Sequence, residues 1–392
     1  MTARDAATHR PTQTRTRTRT RRPRRLIVAA ALGAVGLGIA LLSLSTGEST
    51  VPLSVVVDAV VGRDTAGAGY IVAEFRLPRV LGAVLVGVGL GAAGAVTQSL
   101  LRNPLASPDI IGVTSGASTA AVVALAATAG LASSPAGAVA GMPVALAALL
   151  GGLLAGALVL AGAWRRGLEP GRVVLVGLGV NAGFGALTSW VLLRAELPGL
   201  QTSLVWLTGS LNNARMTTIL PVALIVLLAL TLLALGSRTL GMLRYDARVA
   251  AALGVRVSAA QLVLLGLAVV LASAVTAVAG PVPFVAFVAP QIALALFRTE
   301  GPPLAYSALL GAVMMLASDL IAARAFAVPL PVGIVTAVLG VPVLLWILLR
   351  AGRRERGRGR RGRRRKRGQL ERRGRGGRER SGRPEHGSGA RR

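Results

Sequence analysis

The chain has 392 residues, of which 53% are hydrophobic, yet its formal net charge is +29 and its pI about 12. Splitting the charge resolves the contradiction: residues 1–25 and 350–392 together carry +24, leaving +5 on the 324 residues between them, where the charges fall between long apolar runs. This is the composition of a membrane domain with two basic tails. Zero cysteines, with histidines only at His9 and His386, exclude disulfides, thiolate or imidazole metal ligands and an imidazole proton relay from the membrane body.

In chain order, residues 1–25 hold nine Arg and one Asp, including the run TQTRTRTRT, and cannot bury enough apolar surface to fold; a disordered tail is expected. The apolar run Leu26–Leu44 behind Arg21, Arg22, Arg24 and Arg25 is too long for a cleaved leader and lacks a small-x-small site, so it reads as a signal anchor. Apolar stretches of about 20 residues predict spans at 27–45, 80–101, 139–164, 173–193, 217–235, 259–279, 304–323 and 332–349. Two shorter stretches, 114–131 and 284–297, can span as interior helices of a bundle, which makes ten. An even count puts both termini on one side, and the Arg-rich tails make that side the cytoplasm. The loops agree, with nine arginines inside (Arg102, Arg165, Arg166, Arg172, Arg238, Arg244, Arg248, Arg256, Arg298) against six outside (Arg63, Arg76, Arg79, Arg194, Arg215, Arg324). GxxxG spacings at Gly87/Gly91, Gly152/Gly156 and Gly179/Gly183 support tight helix bundling, and Trp164, Trp190 and Trp346 sit near predicted span ends. Gly352 to Arg380 is nearly all Arg, Gly and Glu; no aromatics interleave for base stacking, so membrane lipid is the expected contact rather than nucleic acid. The expectation is an all-α polytopic membrane protein of about ten transmembrane helices: a basic tail over 1–25, a transmembrane domain over 26–350 and a second basic tail over 351–392, both tails cytoplasmic.

The most informative stretch is RLPRVLGAVLVGVGLGAAGAVTQSLLRNPLASPDIIGVTSGAS, Arg76 to Ser118. A helix here opens on Arg76 and Arg79, ends on Gln98, Arg102 and Asn103, and continues through Pro104, Pro108 and Gly112 into another apolar run. Polar groups and prolines at membrane depth are costly unless they line a cavity or pack inside protein. The pattern fits a polar-lined pathway, and equally a helix cap followed by a tight turn. The membrane body contains no Ser/His/Asp set, paired carboxylates or HExxH, and no GxxxxGK[ST] phosphate loop, since Lys366 is the only lysine.

That stretch resembles the signature of the iron-siderophore and vitamin B12 (FecCD-type) ABC-transporter permeases: RLPR, then GAxxQ, then NPLAxPxxLGxxxGA. The likeness continues in order through LVWLTGSLN (Leu204 to Asn212), AALGV (Ala251 to Val255), AGPVPFVAFVAPQIA (Ala279 to Ala293) and LPVGIVTAVLGVPVLLWILL (Leu330 to Leu349), covering residues 26–352. The run RLPRVLGAVLVGVGLGAAGAVTQSLLRNPLASPD and the AWRRGLEPGR loop are most similar to permeases of ferric-enterobactin-type importers. The resemblance implies a multi-pass subunit of the cytoplasmic membrane that forms the translocation pathway with a second, identical or homologous permease. It further implies two separate ATP-binding subunits and an extracytoplasmic siderophore-binding protein. By the same resemblance, no cofactor is expected on the chain itself and ATP is expected to be used by the partner subunit.

Carried residue by residue, the resemblance makes Arg76 and Arg79 docking residues for the binding protein, with Arg324 a third at a spacing shorter than the family's; anchoring of helix ends is the plain alternative. Gln98, Arg102, Asn103, Pro104, Pro290 and Gln291 belong to signature segments along the pathway. Gln291 stands where the family has His, which removes titration near neutral pH, and Leu294 where it has Arg. The loop Ser237 to Ser258, with Arg244, Asp246, Leu253 and Gly254, resembles the segment that couples to the ATPase, though the acidic pair usual before it is missing. Asp319, the one acid deep in a predicted span, either lines the pathway or accepts a bond from a neighbouring helix. Vitamin B12 and haem are the alternative substrates. An ion-coupled transporter is the alternative mechanism, and a body with Asp319 alone offers it little.

Overall fold

The structure is a computed structural model that describes residues 21–47, 49–63, 67–128, 141–165, 167–195, 197–244, 247–346 and 349. Among these the chain is helical, without strands. Helices α1 (Arg21–Ser45), α2 (Leu53–Val60) and α3 (Ala68–Ile71) lead through a π-turn (Val72–Arg76) into α4 (Leu77–Leu100). A 3₁₀ turn (Pro108–Ile111) precedes α5 (Val113–Thr128); α6 (Gly141–Ala163), α7 (Pro170–Arg194), α8 (Leu197–Leu207) and α9 (Met216–Leu235) follow. Two short helices, α10 (Ser237–Leu243) and α11 (Ala247–Ala252), precede α12 (Val257–Ala279), α13 (Val285–Phe297), α14 (Leu304–Arg324) and α15 (Val332–Trp346).

Seven of these helical stretches are long and apolar enough to cross a membrane, and three shorter apolar ones, Val113–Ala127, Val285–Phe297 and Val332–Trp346, fall on predicted spans 114–131, 284–297 and 332–349. Two boundaries differ from the sequence reading. The span predicted from residue 80 begins at Ala68, because the π-turn carries one continuous helix of 33 residues past the charges of Glu74 and Arg76. The turn is placed where Pro78 lacks the N–H that would bond the Glu74 carbonyl. The basic segment assigned to the tail up to residue 25 is helical from Arg21, and its remainder, like residues 351–392, lies outside the described residues.

Residues up to Gly340 form one unit and those from Val341 a second, in which the end of α15 is described. In the first, α4 and α12 are central, most of their residues being buried. Small residues let the central helices meet backbone to backbone: a Cβ at Gly87 would overlap Gly311 O of α14, and one at Gly91 would overlap Ser307 O. Gly152 and Gly156 of α6 similarly receive Ser273 and Val269 of α12, whereas Gly179 and Gly183 of α7 meet nothing within 4 Å.

Candidate functional site

The two ends of α4 carry the polar chemistry. At the end predicted to face outward, α1 stops at Ser45 and leaves its last carbonyls needing donors. Arg76, on the π-turn, supplies one and also holds the segment behind the helix: its Nη1 donates to Leu44 O at 2.8 Å and its Nη2 to Ser49 O at 2.7 Å and Ser49 Oγ at 3.3 Å. Arg324, at the end of α14, donates to Thr46 O. Gly47 lies so near the Arg76 guanidinium that a side chain there would overlap it. Arg79, one turn further along, makes a two-point ion pair with Asp319: Nε lies 2.9 and 3.1 Å from the carboxylate oxygens and Nη2 2.9 Å from Oδ1. Asp319 is buried and the Arg79 side chain a quarter exposed. The three arginines line one cavity of about 580 Å³ with Ser49, Phe75 and Asn212.

At the other end, Arg102 takes the left-handed conformation that stops α4, and Asn103 closes the turn by accepting the Leu105 N–H at 2.9 Å on Oδ1. Pro104 is exposed in this turn. Arg102 Nη2 donates to Leu243 O at 3.3 Å, at the end of α10. Arg244 next to it bridges elements, with Nε 3.3 Å from Ser99 Oγ of α4 and Nη2 on Pro302 O ahead of α14. Arg25 of α1 caps α13 through Phe297 O at 3.0 Å and Arg298 O at 3.1 Å. Gly254 ends α11 at φ +83°: its N–H bonds Ala251 O at 2.9 Å while the Val255 N–H bonds Ala250 O at 3.1 Å, the paired bonds of a Schellman motif. This turn presents Leu253 at 65% and Val249 at 51% exposure. Asp246 lies outside the described residues.

Between the ends, Gln98 and Gln291 meet. Gln291 Nε2 donates to Gln98 Oε1 at 2.6 Å, and Gln98 Nε2 to Phe287 O at 3.0 Å, both side chains buried. Pro290 is buried inside α13, and Gly94 lets the α4 backbone abut Ala286 O one turn before it. The structure thus joins Gln98 with Gln291 and sets Arg102, Asn103 and Pro104 apart, in the turn beyond.

One polar ladder escaped sequence reasoning. Asn181 of α7 donates to Asp109 O at 3.0 Å and accepts Ser115 Oγ–H at 2.6 Å; Thr119 shares a hydrogen bond with Thr188 at 2.7 Å and donates to Phe184 O at 2.9 Å. Only Val173 and Gly177 of α7 are buried, and these polar rungs tie it to α5. The signal was available as single polar residues within an apolar run. Beside the ladder, burial pushes the Asp109 carboxyl above the usual range, against the opposing hydrogen bonds from Thr114 and Ser107.

With this geometry in view, the profile of the FecCD transport family matches residues 25–350. The chain is 38% identical over 313 residues to the ferric enterobactin transport system permease protein FepG of Escherichia coli (strain K12), covering 80% of this chain and 92% of that one. It is 37% identical to the achromobactin transport system permease protein CbrC of Dickeya dadantii (strain 3937), covering 83% and 90%. Against the iron-uptake system permease protein FeuC of Bacillus subtilis (strain 168) it is 36% identical, covering 71% and 83%. A solved inward-facing structure of a metal-chelate type ABC transporter superposes with a TM-score of 0.72 at 25% identity, covering 83% of this chain and 99% of that one.

Proposed function

Because the chain belongs to the FecCD transport family, we propose that its cargo is an iron–siderophore complex, handed over by an extracytoplasmic binding protein and moved by two ATP-binding subunits acting on a pair of permeases, identical or homologous, in the cytoplasmic membrane. The chain is a multi-pass membrane permease of the ABC-importer class and is not itself the ATPase. The observation that carries the fuller reading is the separation of its two polar surfaces along α4. From Arg79 to Ser99, the Arg244 partner, is 20 residues; at 1.5 Å per residue that is about 30 Å, the thickness of a bilayer core. One surface therefore serves each side: the arginine-lined cavity receives the binding protein, and the Leu253–Gly254 turn seats against the ATPase. The relatives named for ferric enterobactin, achromobactin and iron uptake favour a siderophore cargo over vitamin B12 or haem.

The test is reconstitution in liposomes with both partner proteins and ferric enterobactin as the first cargo. Uptake is expected to require ATP and both partners. Movement of the ferric siderophore by the chain alone would overturn the reading, and uptake of cyanocobalamin or haem in its place would reassign the cargo.

A further inference from the structure

The three cavity arginines are not equivalent. Arg76 spends both terminal nitrogens on Leu44 O and on Ser49, and Arg324 donates to Thr46 O, so both tie the end of α1 and the segment behind it to α14 and the π-turn. Arg79 is held differently. Asp319 grips it side-on through Nε and Nη2, and among the described residues no acceptor meets Nη1. A guanidinium has two edges able to take a carboxylate at two points: the Nε/Nη2 edge and the Nη1/Nη2 edge. Here the first is filled and the second is open on a side chain that lines the cavity and is a quarter exposed.

The charges point to the kind of partner. Asp319 neutralises Arg79, while among the described residues Arg76 and Arg324 bond neutral oxygens beside the cavity. A carboxylate entering this space meets a net positive field and a preset two-point donor. Asp319, 5% exposed, fixes the guanidinium plane in advance, so little side-chain freedom is lost when the partner arrives.

The geometry points to Asp319 as a positioning residue that presents the open edge of Arg79 to an acidic side chain of the extracytoplasmic binding protein, with Arg76 and Arg324 building the cavity wall. This rests on the docking reading above and narrows it to one arginine and one supporting carboxylate. It also accounts for an acid deep in a span without a role in conducting ions.

The experiment uses the permease–ATPase complex in nanodiscs and the siderophore-loaded binding protein of the same importer as probe, reading the probe's affinity, its KM in transport and the basal ATPase rate. Arg79→Lys keeps a charge for Asp319 but lacks the fork; it is expected to weaken affinity about tenfold or more. Asp319→Asn is expected to weaken affinity several-fold through KM, to be partly rescued in Asp319→Glu, and to add nothing on top of Arg79→Lys. Arg76→Gln and Arg324→Gln are expected to lower thermal stability and change affinity less than about threefold. Unchanged or tighter binding in Asp319→Asn, with Arg79→Lys still weakened, overturns the positioning role and leaves docking standing. Unchanged binding in Arg79→Lys removes the docking reading itself. Should Asp319→Asn fail to fold, Asp319→Glu decides: its longer stem shifts the guanidinium, so affinity equal to the parent's also overturns the proposal.

Discussion

At the scale of single residues, the burial of Gln291 against Gln98 has a concrete consequence. Gln291 and Gln98 form a closed amide pair in the interior of the bundle, anchored on Phe287 O. Removing one member leaves a buried acceptor without its donor, at a cost of about 1–3 kcal/mol, while removing both strands less. Gln291→Leu is therefore expected to lower the thermal midpoint in detergent, and Gln98→Leu with Gln291→Leu to cost less than the two single changes added. Strict additivity in a thermal-shift series would show that the pair does not act as a unit. Gln291→His keeps a donor. The pairing itself was not visible in the sequence: the two residues were singled out separately, 193 positions apart, and no spacing rule brings together residues on different helices. The partners of Arg76 and Arg324 were hidden for a related reason, being backbone carbonyls rather than side chains.

At the scale of elements, α11 and its turn form a small platform whose shape depends on one backbone conformation. Gly254 sits at φ +83° with nothing within 4 Å of where a Cβ would stand, so a substitution there is opposed by backbone conformation alone and not by crowding. A β-branched residue in that region costs about 1–2 kcal/mol or more, whereas Asn adopts it readily. Gly254→Val is expected to displace Leu253 and reduce both ATPase co-purification and uptake, Gly254→Asn to retain most of both, and Leu253→Asp to lose them with the permease still folded. Co-purification unaffected by Leu253→Asp would remove this turn from the ATPase contact. The platform was legible because AALGV matched a family segment and Gly marks a helix end. The 33-residue helix was not, since a hydropathy count stops at Glu74 and Arg76 although a π-turn carries the backbone straight through them. Short α2 and α8 escaped for the same reason: apolar-run length detects what spans, not what lies beside it.

At the scale of the whole molecule, the helical class followed from apolar runs, but the number of crossings depends on the short helices. Helix α5, at 16 residues, is about 24 Å long, less than the roughly 30 Å of a hydrocarbon core. It crosses only if its ends are sheltered by protein, and the packing provides this: Gly116 and Gly151 press α5 and α6 together at backbone contact, and the ladder through Asn181 and Thr119 satisfies polar groups along α7. A chain without cysteine allows a direct test. Between Val61, beside α2, and Leu253 lie the long helix Ala68–Leu100, then α5, α6, α7 and α9. If all five cross, the two positions face opposite sides of the membrane; if α5 only dips in and returns, they face the same side. Both are exposed, at 62% and 65%, so Cys at either disturbs no packing. In intact cells a membrane-impermeant maleimide is expected to label Val61→Cys, and Leu253→Cys only after the membrane is opened. Labelling of both from one side would reduce the crossings between them to an even number, with α5 the helix to strike out. It would also place the arginine cavity and the Leu253 turn on one face, against the proposal of one contact surface on each side.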